Sequence, residues 1–280
     1  MTADGVWIVA IGGLTAATCA WVGTFLMLRR LTPLGDAVAH SALPGVVAAF
    51  LLAGGRGGMT MYLGATIAGL AATALIEFLR SRGGMKPDAA VGVVFTGFFA
   101  AGVALLTATA EDVDLDVECV LYGEIAYAPL NVWVWGGQSW GPRAFWQATF
   151  GFVFVVAAIV LMYKELTVVA FDEAFAQSVG MSPGLWRYIL MGLTAVAVVS
   201  AFESVGAVLV TAFLSALPGA AYLLTGRLTT LLVLATAFGW LAAAGGYALA
   251  VWLDGSIAGG MASVAGTIFF FSWAVARRRK

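Results

Sequence analysis

Residues 228–253, LTTLLVLATAFGWLAAAGGYALAVWL, run for 26 positions without a charged side chain, between Arg227 and Asp254. A helix rises about 1.5 Å per residue and the hydrocarbon core of a bilayer is about 30 Å thick, so roughly 20 apolar residues cross it. This segment therefore reads as a transmembrane helix. The same ruler finds apolar runs at 6–28, 31–54, 59–79, 91–110, 144–163, 188–202, 204–226 and 261–276. The expected fold is all-α, a polytopic integral membrane helical bundle of eight or nine transmembrane segments. The pair within 188–226 is open, because Glu203-Ser204 and Pro218-Gly219 interrupt it as a turn, a kink or a half-helix would. The start, Met1-Thr2-Ala3-Asp4-Gly5, lacks a basic segment, so the first span is expected to be permanent and not a cleaved signal.

Composition agrees. The 280 residues are 62% hydrophobic and 10% charged, include 35 glycines, and have a mean hydropathy of +0.98. A water-soluble domain would have too little polar surface at that content. The formal net charge of −1 offers no basic field to nucleic acid. Two cysteines, Cys19 and Cys119, make neither a disulfide framework nor a zinc cluster.

Alternating nine spans from an outside N-terminus puts Arg29, Arg30, Arg80, Arg82, Lys86, Lys164, Arg187, Arg227 and Arg277 to Lys280 inside, leaving Arg56 and Arg143 outside. Basic residues favour the cytoplasmic side, so the expected topology is N-terminus out and C-terminus in. The loop 110–143 then lies outside with Glu111, Asp112, Asp114, Asp116 and Glu118. It reads either as an acidic entry mouth that concentrates cations or as a solvated loop. It is not an EF-hand, since Val117 and Gly123 stand where that loop needs Gly and Glu. Gly180-Met181-Ser182-Pro183-Gly184 matches a nucleophile elbow in letters alone, and no Walker A motif is present. The chain is thus not expected to hydrolyse ATP by itself.

Ionisable groups inside apolar runs are functional candidates, because hydrocarbon disfavours them by several kcal/mol. Glu77, three residues before Arg80, reads as a span-end residue reaching the interface. Asp36 and His40, in GDAVAHSALPG at 35–45, are four apart and so lie on one helix face a turn apart. Counted from Arg30, they lie about 9 Å and about 15 Å deep. Oxygen plus imidazole suits Mn(II), Fe(II) or Zn(II), although two ligands are too few for any of these. A structural Asp–His pair is the alternative. Ser-Ala-Leu-Pro-Gly recurs at 215–219, with Leu214 where the first copy has His40. Paired Gly/Pro-interrupted segments point to broken helices around a transport site. Glu203, twelve residues before the second copy, is either a further ligand or gate, or a polar turn residue.

The stretch 164–187, KELTVVAFDEAFAQSVGMSPGLWR, is expected to hold a short cytoplasmic helix opened by Asp172 and Glu173, with Ala174 and Ala176 inside, ended by Gly180 and Pro183. It reads as a docking element or as a connector.

Together, Gly35-Asp36 to Gly45, the Phe171-Asp172, Ala176 and Gly180 helix, Leu121 to Glu124, Val205 to Val210, Pro218 to Thr225 and Asp254-Gly255 with Gly259-Gly260 resemble, in order along nearly the whole chain, the membrane subunit of bacterial ABC importers for manganese, zinc or iron, the ABC-3 family. The resemblance implies a type II-like ABC importer permease, a single domain over 1–280 in the bacterial cytoplasmic (inner) membrane. It implies Asp36 and His40 as an intramembrane metal pair, and Asp172, Glu173, Ala176, Gly180 and Gly184 in a coupling segment seated in the ATPase. Two ATPase subunits, a second permease of the same or a paralogous sequence, and an extracytoplasmic solute-binding protein would be partners. The divalent metal would be substrate, ATP would be used by the partner, and this chain would bind no cofactor. The lack of a second histidine tilts the metal toward manganese or iron. The rival expectation is a secondary cation/proton exchanger using Asp36 and His40 as a proton relay.

Overall fold

The computed structural model describes residues 3–53, 58–108, 125–135 and 138–278. In chain order the described elements are α1 (Ala3–Leu28), α2 (Pro33–Ser41), α3 (Leu43–Ala53), α4 (Gly58–Ser81), α5 (Pro87–Ala108), a 3-10 turn (Ile125–Leu130), and a hairpin of β1 (Val132–Trp135) and β2 (Gln138–Pro142). They continue with α6 (Arg143–Leu161), α7 (Tyr163–Phe171), α8 (Glu173–Ser178), α9 (Pro183–Val205), α10 (Ala207–Leu224), α11 (Leu228–Leu253) and α12 (Ile257–Arg278).

Nine segments among the described residues are long and apolar enough to cross a membrane, and each coincides with one of the nine apolar runs; α2 and α3 together form the second. The doubtful region 188–226 is two spans. Gly206, at φ 78° and ψ 163°, separates α9 from α10. That backbone state belongs essentially to glycine, so the helix breaks there. The antiparallel hairpin, paired Val132 to Pro142 and Trp135 to Gln138, was not anticipated. It lies in the loop between the fourth and fifth spans.

Hydrocarbon offers no partner to a backbone group, so spans are helices. Hydroxyls inside them bond back to the preceding turn, as Thr24 to Ala20 and Thr194 to Leu190, each at 2.8 Å. Prolines interrupt this pattern. Pro44 lacks the N–H that would reach His40, and the second span divides into α2 and α3 at Ala42. Pro218, inside α10, likewise leaves the Leu214 carbonyl without its helical donor.

Helix contacts depend on small residues, as expected where lipid tails compete equally for large apolar side chains. At the α3/α4 crossing a Cβ on Gly45 would lie 2.1 Å from the Gly64 carbonyl oxygen, and one on Gly64 would lie 2.3 Å from that of Gly45. Phe25, Phe213, Leu34 and Met191 fill the interior, while Ile67, Phe150, Val233 and Phe271 face outward. Gly64→Val should therefore lower the thermal midpoint in detergent by about 5 °C or more, the scale of an overpacking penalty of about 1–3 kcal/mol. Gly266→Val, where nothing lies within 4 Å of an added Cβ, should leave it unchanged.

Candidate functional site

α2 begins only four residues after Arg29, with Pro33 in its first turn, where the missing N–H has no helical partner to lose. It packs among α4, α5, α9 and α10. Leu34, Val38 and Ala39 are fully buried, so the face bearing Asp36 and His40 is held in fixed orientation. The expected meeting of the two residues is observed. His40 Nε2 lies 3.6 Å from Asp36 Oδ1, outside hydrogen-bond range and close enough for one ion to contact both.

The surroundings supply two features that the sequence reading missed. Thr211 of α10 donates its hydroxyl to Asp36 Oδ1 at 3.1 Å, and so joins the second repeat region to the first. The His40 ring meets Phe95 and Phe99 of α5 edge to face, with centroids at 5.3 and 5.7 Å. The only sequence signal for the phenylalanines is their i,i+4 spacing; a single threonine in an apolar run gave none. His40 Nδ1 is buried without a hydrogen-bond partner among the described residues, so the edge-to-face contacts with Phe95 and Phe99 orient the imidazole where a hydrogen-bond acceptor would otherwise do so. The Asp36 side chain is half exposed and that of His40 a quarter exposed. The pair thus opens toward the surface of this one chain.

No group of three or more His, Cys, Asp or Glu side chains able to hold a metal occurs among the described residues. Glu203 lies in the last turn of α9, and its side chain is outside the described residues. The acidic run Glu111, Asp112, Asp114, Asp116 and Glu118, and Cys119, also lie outside them.

In the 164–187 stretch, Lys164 to Phe171 form most of α7, a helix not anticipated, and α8 follows. Asp172 caps α8, its carboxylate accepting from the Phe175 N–H at 2.9 Å. Ala176 is fully buried. Gly180, at φ 80°, ends the element, whereas Gly184 belongs to the first turn of α9. Phe171, Phe175 and Val179 are each more than half exposed. Glu173 does not face solvent freely. It is bonded to Arg29 and Arg187. Burial pushes its carboxyl up, but the Arg29 hydrogen bond and the charges of Arg187 and Arg29 prevail and hold it below the usual value.

Glu77 corrects the sequence reading. It does not reach an interface; its side chain is 1% exposed, paired with Arg187 at 2.9 Å and Arg80 at 3.5 Å. The residue was read with its neighbour Arg80 alone, whereas the decisive partner is 110 residues away.

The model of the ABC 3 transport family matches residues 5–276. The chain belongs to that family. It is a multi-pass membrane permease subunit and not an enzyme. This permease is 43% identical over 263 residues to the manganese transport system membrane protein MntD of Bacillus subtilis (strain 168), covering 94% of this chain and 89% of that one. It is 40% identical over 262 residues to the zinc transport system membrane protein TroD of Treponema pallidum (strain Nichols), covering 94% and 71%. Its fold is similar to PsaBC from Streptococcus pneumoniae, solved in complex with Fab, at a TM-score of 0.77 and 26% identity over 95% of this chain and 89% of that one.

Removal of the Thr211 hydroxyl should loosen Asp36. With Asp36 as a contact of the transported substrate, Thr211→Val would weaken substrate affinity about 10-fold, as loss of a hydrogen bond supporting a ligand does. Thr211→Ser should stay near wild type; the KM for uptake in cells measures both.

Proposed function

We propose that this chain is the membrane-spanning permease of an ATP-driven importer for a divalent transition metal, with Asp36 and His40 as the metal's intramembrane contacts. The observation that carries the reading is the carboxylate and imidazole a turn apart in a membrane-spanning segment, turned toward one another and open on one side. The relatives named for manganese and zinc transport support the substrate class, and manganese is favoured. Two ligands do not complete a coordination shell for such an ion, so the remainder comes from water, Glu203, or a second permease subunit, the same chain or a paralogue.

The mechanism is alternating access. An extracytoplasmic solute-binding protein delivers the metal to the outer mouth, where the acidic residues 111–118 gather cations. The metal engages Asp36 and His40 and is released inward when a dimer of ATPase subunits closes. A pair that contacted the ion equally in both states would move nothing, so the pair must face outward in one state and inward in the other. The chain acts as a single permease domain over 1–280 in the bacterial cytoplasmic membrane, N-terminus outside. Supporting that orientation, Arg29, Arg80 and Arg187 converge at the same end as α8. The exposed apolar residues on and beside α8, Phe171, Phe175 and Val179, form the docking surface for the ATPase, within a coupling segment spanning 164–187.

His40→Ala should reduce ATP-dependent metal uptake on the order of 100-fold or more while the ATPase still co-purifies. Wild-type uptake in that variant would reject the site. Uptake by the purified chain alone in proteoliposomes, driven by a pH gradient without ATPase, would instead establish a cation/proton exchanger. Phe175→Glu should abolish co-purification of the ATPase from detergent extracts and leave the permease inserted; undiminished co-purification would reject the docking surface.

A further inference from the structure

Apart from the Asp36 and His40 pair, the ion pairs of the described residues form one connected chain. Arg187 stands at its centre. Its Nε donates to Glu77 Oε1 at 2.9 Å, and its Nη1 donates to both carboxylate oxygens of Glu173 at 3.2 Å. Glu173 also accepts from Arg29, and the second oxygen of Glu77 accepts from Arg80 at 3.5 Å. Glu77 is 1%, Arg29 6% and Arg187 17% exposed.

The five residues come from four segments. Arg29 follows α1, Glu77 and Arg80 end α4, Glu173 begins α8, and Arg187 lies near the start of α9. Arg29 is separated from α2 by three residues, and Asp36 lies seven positions beyond Arg29. One route thus runs from α8 through the Glu173–Arg29 contact and on along residues 30–32 of the chain to α2, and a second runs through Arg187 to the buried Glu77 of α4, against which α2 packs.

Stability alone is a poor account of such an arrangement. Buried ion pairs are often no better than apolar packing of the same volume, because both partners must be desolvated. Apolar residues would also join α4 to α9. What they would not provide is a directional, forked connection between a short cytoplasmic helix and three membrane helices at once.

We propose that Arg187 is a positioning residue that fastens α8, through Glu173, to α4 and α9, the helices against which α2 packs, so that movement of α8 reaches α2 and its Asp36. This rests on α8 being the element that docks the ATPase. The planar guanidinium is essential to the role, because Nε and Nη1 engage different carboxylates together, which the single ammonium of lysine does not reproduce. Glu77 is the anchor on the membrane side.

The test uses the complete importer, permease with ATPase and binding protein, in proteoliposomes, with manganese as the probe and ATP hydrolysis counted beside metal uptake. Arg187→Lys keeps the charge. It should leave assembly and ATP hydrolysis intact and lower the metal imported per ATP by at least about 5-fold, the lower end of ordinary coupling between sites. Glu77→Gln should lower the ratio in the same way. A structural role would reduce the amount of intact complex without changing the ratio per complex, so an unchanged ratio overturns the proposal. Loss of the ATPase from Arg187→Lys overturns it as well, since the residue would then serve assembly. The docking reading fails separately: Phe175→Glu that retains its ATPase removes that reading, whereas Arg187→Lys with docking intact and a wild-type ratio removes the linkage alone.

Discussion

A polar group in hydrocarbon must find its partner within the protein, and the architecture follows from that constraint. It makes each span a helix and folds many serine and threonine hydroxyls, such as those of Thr24 and Thr194, back onto carbonyls of the preceding turn. It also makes every departure from helix a local event with an identifiable cause. Gly206 reverses the chain between α9 and α10, Pro44 divides α2 from α3, and Pro218 frees the carbonyl of Leu214. That carbonyl is not left open. Gly23 of α1 approaches it so closely that an added Cβ would lie 2.2 Å from the oxygen, and a bare helix surface lies where a side chain would otherwise stand.

The same constraint sorts the charges. Glu77 is neutralised by two arginines, one on its own helix and one on α9. Asp36 has only a threonine hydroxyl at hydrogen-bond distance and a histidine slightly beyond it, and it keeps an open side. One carboxylate is saturated by the fold and the other is left with capacity. This contrast separates a holding residue from one able to receive an ion, and it is visible only when both sets of partners are known.

Much of the fold was legible in the sequence because a bilayer imposes a length on every span. Runs such as 228–253 declare themselves by the absence of charge, and the i,i+4 spacing of Asp36 and His40 was sufficient to place both on one face. The helix Lys164 to Phe171 was missed because it is neither long nor uniformly apolar, and the hairpin because its two strands of four and five residues carry little pattern. Glu77 was misjudged for another reason. A charge near a span end looks the same in sequence whether it snorkels outward or turns inward to a partner, and Arg187 is distant in the chain. Thr211 was invisible on similar grounds, since a hydroxyl in a helix usually satisfies itself, and this one also bonds the Ala207 carbonyl at 3.0 Å.

The crossing of Gly45 and Gly64 has a mechanical consequence. Backbone lies directly on backbone there, so α3 and α4 have no side-chain layer between them to shear or repack. The α3 half of the second span is in effect clamped to its neighbour. Its other half, α2, is joined to that clamp across a proline-broken turn, so bending at residues 41–44 is an easier deformation than sliding of α3 along α4.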